Sequence, residues 1–127
     1  MIQGIGVDIV EVERIKQRIT SNSGFCELVF SIEEIAYCTK KAIPYESYAA
    51  RFAAKEAFLK AVGIGIDFTI DLKEIQVLNN EFGKPYFMKT SAVEQYLMAQ
   101  LGYIPEIQLS LSHTHKQAIA FVLFNKI

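Results

Sequence analysis

The sequence predicts an α+β domain in which helices pack on a mainly antiparallel sheet, and three observations carry that prediction. Strand-like runs rich in Ile and Val stand at both ends of the chain. Segments with helical spacing lie between them. The last two strand-like runs are joined through Thr114-His115-Lys116 alone, as in a hairpin. The element order reads βαααββαββ, and 127 residues without a repeat, linker or low-complexity stretch make one domain, 1–127.

Residues 2–10 read as the first strand, with Ile5, Val7 and Ile9 on one face and Gly4, Gly6 and Asp8 on the other. Glycines beside Asp8 remove side-chain bulk, so another element or a ligand can approach closely. Residues 11–20 read as a helix from the spacing of Val12, Ile15 and Ile19. Ser31 with Glu34 resembles a capping box and opens a short helix to about Thr39. Pro44 suits the first turn of a long helix that runs to about Val62, and Gly63-Ile64-Gly65 ends it. Residues 72–79 read as a strand. The turn-rich stretch 79–85 joins it to a short strand at 86–89. Ser91, as N-cap, opens a helix that Gly102 stops after Leu101. Strands at 106–113 and 117–125 close the domain.

A net charge of -1 argues against a general nucleic-acid binder, though it leaves room for a local basic patch. Cys26 and Cys38 fit no metal-ligand spacing and read as free thiols of a reducing cytoplasm. The sequence shows neither a signal peptide nor an apolar run of membrane-spanning length.

The chemistry concentrates in Arg51-Phe52-Ala53-Ala54-Lys55-Glu56-Ala57-Phe58-Leu59-Lys60. Glu56 and Lys60 share a helix face, preceded on it by the small Ala49 and Ala53, which would leave room beside them. A carboxylate for a metal beside an amine for a phosphate suits phosphate chemistry, although most such pairs are solvated and worth only about 0.3–0.5 kcal/mol. Two further segments complete a set: Gly4-Ile5-Gly6-Val7-Asp8-Ile9-Val10, a strand carrying an acid, and Ser110-Leu111-Ser112-His113-Thr114 at a strand end. In this order, with Gly83-Lys84-Pro85 between the second and third, the segments closely resemble the holo-acyl-carrier-protein synthase family of bacterial 4′-phosphopantetheinyl transferases. The resemblance covers nearly the whole chain.

The resemblance implies a 4′-phosphopantetheinyl transferase-like fold and a magnesium-dependent transfer. The phosphopantetheine arm of coenzyme A would pass to a serine hydroxyl of apo-acyl carrier protein, leaving adenosine 3′,5′-bisphosphate, in support of fatty acid biosynthesis. By the same resemblance Asp8 and Glu56 hold Mg²⁺, and Glu56 and Lys60 are the catalytic pair, with Lys60 on phosphate. Arg51, Gly83, Lys84, Pro85, Ser112, His113 and Thr114 join Lys60 in contacting the coenzyme. The enzyme would be a cytoplasmic homotrimer with coenzyme A between neighbouring subunits. Mg²⁺ held by one or two carboxylates plus substrate phosphates is ordinary for that ion. The serine proton has two candidate acceptors, a metal-bound hydroxide or Glu56; a coordinated carboxylate is the poorer base, which favours the former. Arg14 and Arg18 share a basic helix face suited to the acidic carrier protein.

Read without the resemblance, Asp8 serves equally well as an N-cap of the next helix. His113 continues the parity of Ile107, Leu109 and Leu111 and reads as a core histidine. His113 and His115 form H-x-H, but no third zinc ligand stands out. Arg51 reads as a solvated helix residue, and Gly83-Lys84-Pro85 as an ordinary turn. Two positions depart from the family: Ala50 replaces a common Gly before the Arg, and Gly63-Ile64-Gly65 replaces Gly-Thr-Gly. Two other functions fit the residues, a Mg²⁺-dependent nucleotide phosphohydrolase and a carrier-protein-binding module without catalysis. Retention of both acids argues against the second.

Overall fold

The computed structural model describes residues 1–63 and 69–127. In chain order it contains β1 (Ile2–Glu11), α1 (Val12–Thr20), α2 (Phe25–Val29), α3 (Ile32–Thr39) and α4 (Pro44–Val62). A 3₁₀ turn (Leu72–Glu74), β2 (Val77–Asn79), β3 (Pro85–Phe87), α5 (Ser91–Leu101), β4 (Glu106–His113) and β5 (Gln117–Asn125) follow. The strands form two antiparallel sheets. One is three-stranded with β5 in its centre, in the order β1-β5-β4, and the other is the β2-β3 hairpin.

The α4 helix organises the molecule. It has no single apolar stripe because it is enclosed on nearly every side: Ala49, Ala50, Ala53, Ala54, Ala57, Phe58, Leu59 and Ala61 are all buried. One side of α4 lies on β1 and β5, and small residues meet there on both surfaces. A Cβ added at Gly6 would fall 2.8 Å from the Ala61 nitrogen, and one added at Gly4 would collide with the Ala61 carbonyl. Both glycines are therefore required for strand and helix to touch, as the sequence suggested. The expected alternation along β1 is also present, but its apolar side points outward: Ile5, Val7 and Ile9 are about half exposed. Behind α4 a core of Phe58, Ile75, Val77, Leu97, Val122 and Phe124 closes the domain, with Phe58 edge-on to Phe124.

Several boundaries differ from the sequence reading. The strand expected over 72–79 exists only at Val77–Asn79, because Leu72 and Ile75 turn their carbonyls inward onto the Lys55 ammonium, each at 2.8 Å. An extended chain would spread those acceptors apart. The α2 helix was not anticipated; it follows Gly24, whose φ of 82° only glycine adopts freely. The strand expected at 86–89 lies at Pro85–Phe87, and the helix expected from residue 11 begins at Val12. Thr90, not Ser91, caps α5, its side chain accepting from the Val93 N–H. The Ser31–Glu34 capping box is complete, and Gly63 ends α4 with a φ of 94°. Ile64 and Gly65 lie outside the described residues.

Candidate active site

Close contact between β1 and α4 brings the first two motifs together. Lys60 Nζ donates to Asp8 Oδ1 at 3.0 Å and to the Val7 carbonyl at 3.1 Å. Asp8 therefore does not cap α1; Glu11 stands at that N-cap and makes no side-chain cap bond. Asp8 and Glu56 line one recess of about 340 Å³ together with Phe52, Arg14 and Arg18. Burial pushes the Glu56 carboxyl above the usual carboxylate range; the Asp8 charge adds to the rise, and Lys60 opposes it. Ala49 and Ala53 do not leave open space beside these groups, since both are fully buried in the core. Two carboxylates sharing a recess, one of them disfavoured as an anion, form a donor set suited to a hard divalent cation.

A second cavity, of about 410 Å³, lies elsewhere and shares no lining residue with the first. It collects Arg51, Pro85 and His113 from three separate motifs and adds Tyr37, Lys41, Glu46 and Asn79. Arg51 is not a solvated helix residue: it is 3% exposed, its Nη1 donates to Ser47 Oγ at 3.1 Å, and its Nη2 donates to Asn79 Oδ1. Its guanidinium lies 4.2 Å from the centre of the Tyr37 ring, and its buried Nε has no hydrogen-bond partner. A buried, partly unsatisfied guanidinium is a ready receptor for a phosphate oxygen.

His113 is not a core histidine. Its side chain is 48% exposed, because it stands at the end of β4 where the inner face opens into this cavity. Glu46 Oε1 lies 2.8 Å from His115 Nδ1 and 3.7 Å from His113 Nδ1. No grouping of three potential metal ligands of the His, Cys, Asp or Glu type is assembled among the described residues.

The remaining expected site residues scatter. Gly83 takes a φ of 83° in a turn that Asn80 braces by accepting from the Phe82 and Lys84 N–H groups. Lys84 is exposed and lines neither cavity. Ser112 pairs with Ile119 across β4–β5 and is exposed, and Thr114 accepts from the Lys116 and Gln117 N–H groups at the hairpin tip. Arg14 and Arg18, by contrast, stand in the Asp8–Glu56 recess. Sequence reasoning missed Tyr37, Lys41, Glu46 and Asn79. No local spacing signals them: Lys41 lies beyond the end of α3 at Thr39, and only the fold brings its Nζ to 4.6 Å from the Tyr37 ring centre.

Comparison with known proteins extends the geometry. A family model described as the 4′-phosphopantetheinyl transferase superfamily matches residues 4–122. A holo-[acyl-carrier-protein] synthase of Cytophaga hutchinsonii is 67% identical over 126 residues, covering 99% of each chain. Among solved structures, a holo-[acyl-carrier-protein] synthase from Neisseria meningitidis superposes with a TM-score of 0.87 at 36% identity, covering 99% of this chain and 100% of that one. The Bacillus anthracis holo-(acyl-carrier-protein) synthase in complex with CoA (3′,5′-ADP) gives 0.78 at 34%, covering 98% and 96%.

Proposed function

The chain belongs to the 4′-phosphopantetheinyl transferase superfamily, and on that premise we propose how it acts. It is an enzyme that transfers the 4′-phosphopantetheine arm of coenzyme A to a serine hydroxyl of apo-acyl carrier protein, giving holo-acyl carrier protein and adenosine 3′,5′-bisphosphate. The observation that carries the site assignment is the meeting of Asp8, Glu56 and Lys60 across the glycine-lined contact of β1 with α4.

Asp8 and Glu56 are the residues that would hold Mg²⁺. When bound, the ion neutralises charge on the coenzyme's pyrophosphate and on the departing nucleotide phosphate. Lys60, half exposed on a flexible stem, exchanges its hold on Asp8 for a phosphate oxygen and places a point charge beside the transferred group. Glu56 is one of the two candidate acceptors for the serine proton, and the poorer base while it also holds the ion.

Arg51 anchors a coenzyme phosphate in the second cavity, with His113 and Pro85 beside it. Gly83 and Lys84, which precede Pro85 in the chain, and Ser112 and Thr114, which flank His113, line neither cavity and complete the proposed coenzyme contacts only as neighbours of those residues. Arg14 and Arg18 receive the acidic carrier protein at the mouth of the acid recess.

The assembly we propose is a homotrimer with the coenzyme shared between subunits, and two observations support an interface between copies. The acid recess and the Arg51 cavity are separate on one chain. The outward face of the sheet is apolar, with Ile5, Val7, Ile9, Ile119 and Phe121 each at least 39% exposed in adjoining rungs of β1 and β5. The setting we propose is cytoplasmic and serves fatty acid biosynthesis.

Replacing Asp8 or Glu56 by Ala tests the assignment. Each variant is expected to keep the fold and lose most transfer. Near-normal turnover by either at limiting Mg²⁺ would overturn the metal role.

A further inference from the structure

Lys55 and Glu34 are both completely buried, and the chemistry described above uses neither. Their pairing is fully satisfied. Lys55 Nζ donates to Glu34 Oε1, the Leu72 carbonyl and the Ile75 carbonyl, each at 2.8 Å. Glu34 Oε1 also accepts from the Ser31 N–H, and Oε2 accepts from the Val77 N–H at 3.0 Å. One ion pair thus joins α3, α4 and β2.

The same three elements are joined a second time, one step further along each. On α3 the step runs from Glu34 to Tyr37, on α4 from Lys55 back to Arg51, and on β2 from Val77 to Asn79. These are the i,i+3, i,i+4 and i,i+2 offsets that keep residues on one face of a helix or strand. The upper layer is the cation–π stack of Arg51 on Tyr37 with the Arg51–Asn79 hydrogen bond, and it lines the 410 Å³ cavity. The lower layer is the buried pair. A buried ion pair is a poor source of net stability, since apolar replacements are often as stable. It supplies direction: its fixed acceptors allow one spacing of the three elements, which apolar contact would let slide.

We propose that Glu34 and Lys55 are positioning residues for the coenzyme, holding α3, α4 and β2 in the register that keeps the Tyr37–Arg51–Asn79 layer preformed for a phosphate. This inference rests on reading the Arg51 cavity as the coenzyme's. The pair reaches binding through Arg51 and leaves the Asp8–Glu56 recess on the other side of α4 intact.

The test uses the full chain and adenosine 3′,5′-bisphosphate as the probe, titrated calorimetrically, with steady-state kinetics for each substrate. The variants are Glu34→Gln/Lys55→Met, which removes both charges together, and Glu34→Asp, which keeps the charge but shortens its reach and guards against failure of the first to fold. Each is expected to bind the nucleotide about tenfold more weakly and to raise KM for coenzyme A by a similar factor. The kcat and the KM for carrier protein should stay within about twofold. Arg51→Met separates the two levels of the argument. If it loses nucleotide binding while the pair variants bind normally, the positioning role is refuted and the cavity assignment stands. If Arg51→Met itself binds normally, the cavity assignment fails, and the positioning role with it. A matched fall in kcat and in affinity for both substrates would show general loosening and would also overturn the proposal.

Discussion

Gly6→Ala tests whether the β1–α4 contact builds the acid site. The added Cβ would stand 2.9 Å from the Ala57 carbonyl carbon and 2.8 Å from the Ala61 nitrogen, with the Ala57 oxygen closer still. Carbon atoms in packed interiors sit about 3.5 Å apart or more, so strand and helix must separate by roughly 0.6 Å at this point, and by more to clear the oxygen. All three obstructing atoms are backbone, and no side chain can rotate to relieve the strain. Overpacking of this kind costs about 1–3 kcal/mol, and the rigidity here places it at the upper end. That corresponds to a fall in Tm on the order of 10 °C for a domain of this size. Asp8 lies two residues along the displaced strand and Glu56 on the displaced helix, so their separation grows with the gap. A misplacement approaching 1 Å lowers turnover roughly tenfold to a hundredfold. Thermal melting and the rate of carrier-protein modification read the two effects, with the parent protein as the reference. A Gly6→Ala variant that melts and turns over like the parent would refute this account of the contact.

Other perturbations have expected outcomes. In metal-free protein, Glu56→Gln should be more stable than the parent near neutral pH. Folding raises the Glu56 pKa, so the stability tied to its protonation is full below the ordinary carboxylate range and is lost as pH rises through the raised value. Denaturant titrations from about pH 8 to about pH 3 should therefore show the gap closing in acid, and a gap that widened there would contradict the assignment. Phe121→Asp places a charge at the centre of the outward apolar sheet face, opposite Val7. It should give a monomer in light scattering with little activity, whereas an intact active trimer would show that this face is not the interface. Arg14→Glu should raise KM for carrier protein, less so with added salt, and leave coenzyme binding nearly unchanged. A defect confined to coenzyme A, or one insensitive to salt, would assign Arg14 another task.

The parts of the fold legible in the sequence were those set by local chemistry. The Ser31–Glu34 box, Pro44 at the start of α4 and Gly63 at its end each act within a few residues of themselves. The alternation of Gly4, Gly6 and Asp8 foretold a close neighbour but did not say that the neighbour was α4. The failures were long-range. Nothing between residues 72 and 76 signals that two of their carbonyls solvate a buried ammonium from α4, so an apolar run read as strand. Glu34 was visible as a cap and invisible as the counter-ion of Lys55, because both roles fall on one carboxylate. His113 kept strand parity to the last residue, yet parity assigns a face and not a cover, and α4 leaves that end of β4 open. The Asp8–Glu56–Lys60 group was legible because its residues come in compact motifs. The Arg51 cavity joins Glu46 of Arg51's own helix to Tyr37 of α3, Asn79 of β2 and His113 of β4, and no spacing announces that convergence.

The most direct test of the central claim is to incubate the protein with apo-acyl carrier protein, coenzyme A and Mg²⁺ and to weigh the carrier protein. Transfer predicts that the carrier gains the mass of one phosphopantetheine arm while adenosine 3′,5′-bisphosphate appears in equal amount, with both changes lost in Asp8→Ala. Consumption of coenzyme A with the carrier's mass unchanged would instead identify a hydrolase. A carrier that is bound but never altered, with the coenzyme left intact, would identify a binding module, and either result would contradict the account.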